Sequence, residues 1–257
     1  VSLPCFVANW KMNKTIEETL SYLSLCKKRF SHLPHQDVEV ILAPPYTALF
    51  SVGKRIKELS LPIGLSAQNL FFKTEGAYTG EISPRMLCEA GCQYVIIGHS
   101  ERRMQFGETD AIVVEKVQVA LDAGLIPILC VGESAKERAE GKTLAVVKRQ
   151  VKEAFCMDKH RLFDLSRCLV SYEPIWAIGT GRTPMPFEVE RVHQEIVQIF
   201  HEEGNLHAAS RPRILYGGSV NEANVAAFME EPHVSGMLVG GASLSAETFM
   251  NIVQLGM

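Results

Sequence analysis

The sequence has no Cys-x-x-Cys pair among its seven cysteines, an odd number scattered along 257 residues. That absence argues against a disulfide framework and against structural zinc, and it fits a reducing cytosol, so a cytoplasmic location is expected. No His/Cys/Asp/Glu grouping has metal-ligand spacing, so no metal and no cofactor are expected. No apolar run is long enough to span a bilayer, because prolines or charges interrupt each candidate. The amino terminus, V-S-L-P-C-F-V-A-N-W-K, has no basic region followed by an apolar core, and no secretory signal is expected. A strong charge excess is missing as well. The net charge of -3 gives no general attraction to nucleic acid or to an anionic membrane, so neither is expected as a partner. Any phosphate site must therefore be local.

What is present is apolar and finely divided. A hydrophobic content of 47% over this length supports one large core, with no composition break to divide residues 1–257 into two domains. Short apolar runs predict strands at Cys5 to Asn9, Val38 to Ala43, Gly64 to Gln68, Tyr94 to Gly98, Ile126 to Val131, Cys168 to Tyr172, Ile214 to Tyr216 and Met237 to Val239. Helical patterns lie between them, among them Thr15 to Arg29, Ser83 to Ala90, Thr109 to Ala123, Thr143 to Phe155, Pro186 to His201, Glu222 to Phe228 and Leu244 to Leu255. Ser83-Pro84 and Thr143 look like helix starts, and Gly91, Gly124 and Gly204 like left-handed stops. The alternation predicts an α/β protein whose eight parallel strands close into a (β/α)8 barrel. An open doubly wound sheet is the alternative, weakened because the first turn, Asn9-Trp10-Lys11-Met12-Asn13, has no G-x-G-x-x-G.

In such a barrel the carboxyl ends of all strands face one side, so the strand-end residues are the informative ones. The first strand delivers Asn9 and Lys11, a candidate oxyanion partner or a solvated charge. The fourth delivers Gly98-His99-Ser100-Glu101-Arg102-Arg103. A helix start beside His99 disfavours its protonation and leaves a neutral hydrogen-bond donor. Arg102 and Arg103 are expected at the surface or in a dimer contact. The seventh and eighth strands end in Tyr216-Gly217-Gly218-Ser219 and Val239-Gly240-Gly241-Ala242-Ser243. Two Gly-Gly turns on neighbouring strands suggest backbone amides brought close to a phosphate dianion. Cys130 reads as core, and Ser219 lacks the setting of an activated serine.

The sixth strand presents Glu173 and is stopped at once by Pro174. Ile175, Trp176, Ala177 and Ile178 are apolar yet lie in a connection that closes with Gly179, Thr180 and Gly181. Taken alone, this stretch supports two readings: a lid that expels water beside a catalytic carboxylate, or a strand end with an Ile-Trp pair packed in the core. One carboxylate base, one histidine, one lysine, a phosphate cradle and a lid together suit proton abstraction beside a carbonyl in a small phosphorylated substrate.

The chain closely resembles the triosephosphate isomerase family from end to end. The family's motifs stand as N-W-K-M-N at Asn9, G-A-Y-T-G-E at Gly76, G-H-S-E-R-R at Gly98, Y-E-P-I-W-A-I-G-T-G at Tyr172, Y-G-G-S at Tyr216 and V-G-G-A-S-L at Val239. The resemblance implies a TIM barrel that interconverts dihydroxyacetone phosphate and glyceraldehyde 3-phosphate. It implies Glu173 as proton shuttle, His99 as neutral donor to the carbonyl, and Lys11 and Asn9 as stabilisers of the enediolate oxygen. Gly179, Ser219, Gly240 and Gly241 would bind the phosphate, with Glu101 buried behind Lys11 and Ser100 beside it. The lid would run from Pro174 to Pro184, and Thr79 would reach into a second subunit, which implies a homodimer.

One departure stands out. The family's second lid hinge reads as a small triplet, whereas this chain has Arg182-Thr183-Pro184. Proline has no N–H, so Tyr216, which in the family bonds the last hinge amide, is expected to contribute less to closure. The competing functions are another phosphate-binding barrel, such as a sugar-phosphate epimerase or a barrel of aromatic amino-acid synthesis, and a barrel retained as a binding or adhesion protein.

Overall fold

A computed structural model describes residues 3–30, 37–156, 168–178, 182–202 and 212–257. Its strands are β1 (Cys5–Asn9), β2 (Glu39–Ala43), β3 (Ile63–Ala67), β4 (Tyr94–Ile97), β5 (Ile126–Val131), β6 (Leu169–Tyr172), β7 (Arg213–Tyr216) and β8 (Gly236–Val239). They pair in parallel in chain order, and β8 returns to β1, where Val7 faces Leu238. The ring is closed, which removes the open-sheet alternative.

Side-chain alternation builds two cores from one sheet. Cys5, Val7, Ile96, Ile128, Cys130, Leu169, Leu215 and Leu238 fill the barrel interior. Their sequence neighbours, such as Phe6, Ala8, Leu129 and Val170, pack outward against the helices. Both faces are buried, so the strands are mostly apolar rather than regularly alternating with polar residues.

The helices are α1 (Ile16–Phe30), α2 (Tyr46–Leu59), α3 (Pro84–Glu89), α4 (Ser100–Gln105), α5 (Asp110–Asp122), α6 (Ala135–Ala139), α7 (Thr143–Cys156), α8 (Pro186–Glu202), α9 (Val225–Met229) and α10 (Ala246–Leu255). The Ser83 side chain accepts the Met86 amide at 3.4 Å and starts α3, with Pro84 in its first turn. Gly91 (φ 93°) and Gly124 (φ 79°) are left-handed just past α3 and α5, as expected, while Gly204 falls outside the described residues. The start of α9 falls three residues later than its pattern, because the Asn221 side chain accepts the amides of Ala223 and Asn224 and holds a turn there. Beyond the helical patterns named above, α2 follows Pro44-Pro45 and ends on left-handed Ser60.

One buried histidine ties stability to pH. His193 of α8 is fully buried, its Nδ1 lies 3.1 Å from the His233 carbonyl, and the Glu190–His233 pair is its charged neighbour. Burial pushes its pKa from 6.5 to about 4. The folded value lies below the unfolded one, so the unfolded chain binds the extra proton first, and stability is lost as pH falls through that window. About 2–3 kcal/mol should disappear between pH 7 and pH 4.5 on this account, and His193→Asn should flatten the profile. Denaturant titration at both pH values checks it; equal slopes in variant and parent would remove the linkage.

Candidate active site

Strand alternation aims the central carboxylate. Leu169 faces the barrel interior, Ser171 follows two residues on, and Glu173 two further, just past the last ladder residue of β6. Its amide donates to the Val131 carbonyl at 2.7 Å, and the residue is 1% exposed. Oε2 accepts the Ser100 amide at 3.0 Å. Among the described residues Oε1 is buried with no hydrogen-bond partner, and His99 Nε2 stands 3.3 Å from it, outside bonding geometry. Two glycines make the room: a Cβ on Gly132 would overlap the Glu173 carbonyl, and one on Gly217 would meet Glu173 Cγ at 2.9 Å.

His99 is turned into the site by left-handed Gly98 and caps α4. Its Nδ1 accepts the Glu101 amide at 3.3 Å. In a neutral ring with Nδ1 accepting, the proton sits on Nε2, the atom that faces Glu173.

Lys11 has φ 52°, an uncommon conformation for a lysine. Asn9 Oδ1 accepts its amide at 3.1 Å and Gln68 Nε2 donates to its carbonyl at 2.9 Å, so both sides of the peptide are held. Lys11 Nζ pairs with Glu101 Oε1 at 2.7 Å. The two side chains are 29% and 35% exposed, so Glu101 is only half-buried rather than buried, since Lys11 lines an open cavity.

That cavity, of about 380 Å³, is lined by Asn9, Lys11, His99 and Glu173 together with Ser219, Gly240 and Gly241. The two Gly-Gly turns differ in kind. Cβ atoms on Gly217 and Gly218 would overlap Ser171 and the Tyr216 ring, so internal packing accounts for them. Gly241 faces open space and Gly240 makes only ordinary contact with Lys11, so this pair leaves room for a ligand. Ser219 Oγ donates to the Ala177 carbonyl at 2.8 Å, linking the strand-7 turn to the segment after Glu173.

In that segment Ile175–Ala177 form a 3-10 turn, and Ile175 and Trp176 are only partly buried, which counts against the packed-core reading. Trp176 Nε1 donates to Glu133 Oε1 at 2.9 Å, Tyr172 donates to Glu133 Oε2 at 3.1 Å, and the Arg138 guanidinium lies 4.1 Å from the indole centroid. Gly179, Thr180 and Gly181 lie outside the described residues. Arg182 and Thr183 are exposed, and Pro184 is buried. Tyr216 Oη is buried without a hydrogen-bond partner among the described residues; the Ser219 backbone stands near it, outside bonding geometry.

Glu133 and Gln68 escaped the sequence reading. Both follow strand ends, β5 and β3, so the rule that drew out Lys11 and His99 would have found them. Arg102 and Arg103 are partly buried in ion pairs within the chain, not free surface charges. Arg102 pairs with Glu108, while Arg103 pairs with Asp110 and donates to the Gly98 carbonyl at 2.7 Å, with its side chain 12% exposed. Left-handed Gly107 turns the chain after α4 and brings both acids back to the arginines. Thr79 sits on an exposed loop. Burial first, and then the Glu173 charge, hold the Cys130 thiol well above the usual range, which suits a core residue. Among the described residues no acidic, histidine or cysteine group is arranged to hold a metal, and no helix is long and apolar enough to cross a membrane.

Similarity to known proteins follows the barrel through its whole length. The sequence profile described as triosephosphate isomerase matches residues 4–256. The chain is 44% identical over 254 residues to the triosephosphate isomerase of Endomicrobium trichonymphae, covering 98% of each chain. It is 45% identical over 245 residues to that of Dehalococcoides mccartyi, covering 95% of this chain and 92% of the relative. It is 42% identical over 247 residues to that of Aquifex aeolicus, covering 96% of both. A closed eight-stranded barrel matched over nearly all its residues at this identity leaves one conclusion: the chain belongs to the triosephosphate isomerase family.

Proposed function

We propose that this barrel interconverts dihydroxyacetone phosphate and D-glyceraldehyde 3-phosphate through an enediolate. The observation that carries the proposal is Glu173 Oε1. It is a buried carboxylate oxygen with no hydrogen-bond partner among the described residues, 3.3 Å from His99 Nε2, in a cavity that Gly240 and Gly241 also line. A buried carboxylate oxygen without a partner is poised to accept a proton. Glu173 takes a proton from one substrate carbon and returns it to the adjacent carbon. His99 Nε2–H donates to the carbonyl oxygen and passes the hydroxyl proton from one substrate oxygen to the other, and Lys11 Nζ with Asn9 stabilises the charge that collects there. Ser100 and Glu101 hold Glu173 and Lys11 by the bonds described above.

The amides of Gly179, Ser219, Gly240 and Gly241 bind the phosphate. The segment Pro174, Ile175, Trp176, Ala177, Ile178, Gly179, Thr180, Gly181, Arg182, Thr183 and Pro184 closes over it as a lid and expels water. With Pro184 in place of an amide donor, Tyr216 contributes little to that closure. The chain works as a cytoplasmic homodimer without metal or cofactor, and Thr79 enters the partner's site.

Isomerase turnover of glyceraldehyde 3-phosphate, with and without a chelator, tests the reaction, and sedimentation of the same sample tests the dimer. Fast, chelator-insensitive turnover from a species of twice the chain mass is expected. A folded protein without turnover would favour the binding-protein alternative, and a monomer mass would remove the role of Thr79.

A further inference from the structure

The turn that carries Gly240 and Gly241 is tied to a helix on the far side of the sequence. Ser243 closes the turn on itself: its amide and its Oγ both donate to the Gly240 carbonyl, at 2.8 and 2.7 Å. The Ser243 carbonyl is taken up elsewhere. Tyr22 of α1 donates its hydroxyl to that oxygen at 3.0 Å, across 221 positions of sequence, and Tyr22 is 3% exposed.

The same ring meets the end of β1. Trp10 packs against it edge-on with centroids 4.7 Å apart, and among the described residues Trp10 Nε1 is buried without a hydrogen-bond partner beside the Tyr22 hydroxyl, just outside bonding geometry. Lys14 Nζ covers both rings, 5.1 Å from Tyr22 and 5.5 Å from Trp10. Trp10 directly precedes Lys11, and Gly240 lies against the Lys11 side chain. Tyr22 therefore touches Trp10 and Ser243, the chain neighbours of the cavity residues Lys11 and Ala242, while lining none of the cavity itself.

We infer that Tyr22 is a positioning residue for phosphate binding: its hydroxyl fixes the Gly240–Ser243 turn against the Trp10–Lys11 segment, so the glycine amides and the Lys11 ammonium keep one spacing. The inference rests on the reading of that turn as the phosphate site. A phenol suits the task because its hydrogen bond is directional and its ring is rigid, so little freedom remains to be lost when the dianion arrives. Helix packing alone needs only an apolar side chain at position 22, and the hydroxyl is what phenylalanine or leucine would lack.

Tyr22→Phe separates the two roles, since it keeps the ring and removes one buried hydrogen bond. KM for glyceraldehyde 3-phosphate and the competitive inhibition constant of inorganic phosphate should rise together by about three- to tenfold, the scale of one such bond, while kcat changes by less than about twofold. The thermal stabilisation that inorganic phosphate confers should shrink in step. A variant with lower melting temperature, lower kcat, and unchanged KM and phosphate constant would show a structural role only and overturn the inference. Tyr22→Met repeats the test if the phenylalanine variant is insoluble, and loss of fold in both would also overturn it. If the parent protein turned over its substrate but inorganic phosphate neither inhibited nor stabilised it, the phosphate reading of the turn would fall first, and the role of Tyr22 with it.

Discussion

Replacing Glu173 by glutamine is expected to lower kcat about 10²–10⁴-fold, the range for loss of a general base, with a much smaller change in KM. The variant is nearly isosteric, and a glutamine carbonyl oxygen can still accept the Ser100 amide that Oε2 accepts at 3.0 Å, so the side chain keeps its place. What disappears is the proton acceptor. The other atom, Oε1, has no hydrogen bond to lose among the described residues and lies 3.3 Å from His99 Nε2, so the loss should fall on the chemical step and not on the architecture. Steady-state kinetics with glyceraldehyde 3-phosphate decides it: turnover within a few-fold of the parent would remove Glu173 as the proton shuttle.

His99→Gln should reduce kcat about 10²–10³-fold, as for removal of one oxyanion donor, again with KM within a few-fold of the parent. The histidine does two jobs with two nitrogens. Nδ1 takes the Glu101 amide and starts α4, while Nε2 carries the proton toward the cavity. A glutamine side chain cannot serve both with the same geometry. Loss of the cap adds about 0.5–2 kcal/mol of destabilisation, which a melting curve reads independently of turnover. A defect confined to KM would assign His99 to substrate binding instead of carbonyl polarisation. Because His99 and Glu173 stand 3.3 Å apart, their losses should not add: the double variant is expected to be scarcely slower than Glu173→Gln alone.

Trp176 is held by Glu133 and Arg138, which gives the segment a resting position outside the core. Pro184 is buried, and Tyr216 Oη has no hydrogen-bond partner among the described residues.

The strands were legible because their information is local. Apolar runs of four to six residues bounded by glycine, proline or a cap specify each element within its own length, and alternation along β6 already places Glu173 on the face of Leu169 and Ser171. Strand-end position then selected Lys11, His99, Gly240 and Gly241 as candidates before any contact was known. Other features depended on which distant segments meet when the ring closes. Arg103 looked like surface charge until the Gly107 turn returned Asp110 to it. Gly217 and Gly240 were equivalent in sequence, and only the space around each distinguished packing from a ligand cradle. The Tyr22 hydroxyl reads as one more helix-face residue until α1 lies against the turn after β8. Secondary structure answers to neighbours a few residues apart, whereas the hydrogen-bond partner of a buried side chain is chosen by tertiary packing between segments that local propensity does not relate.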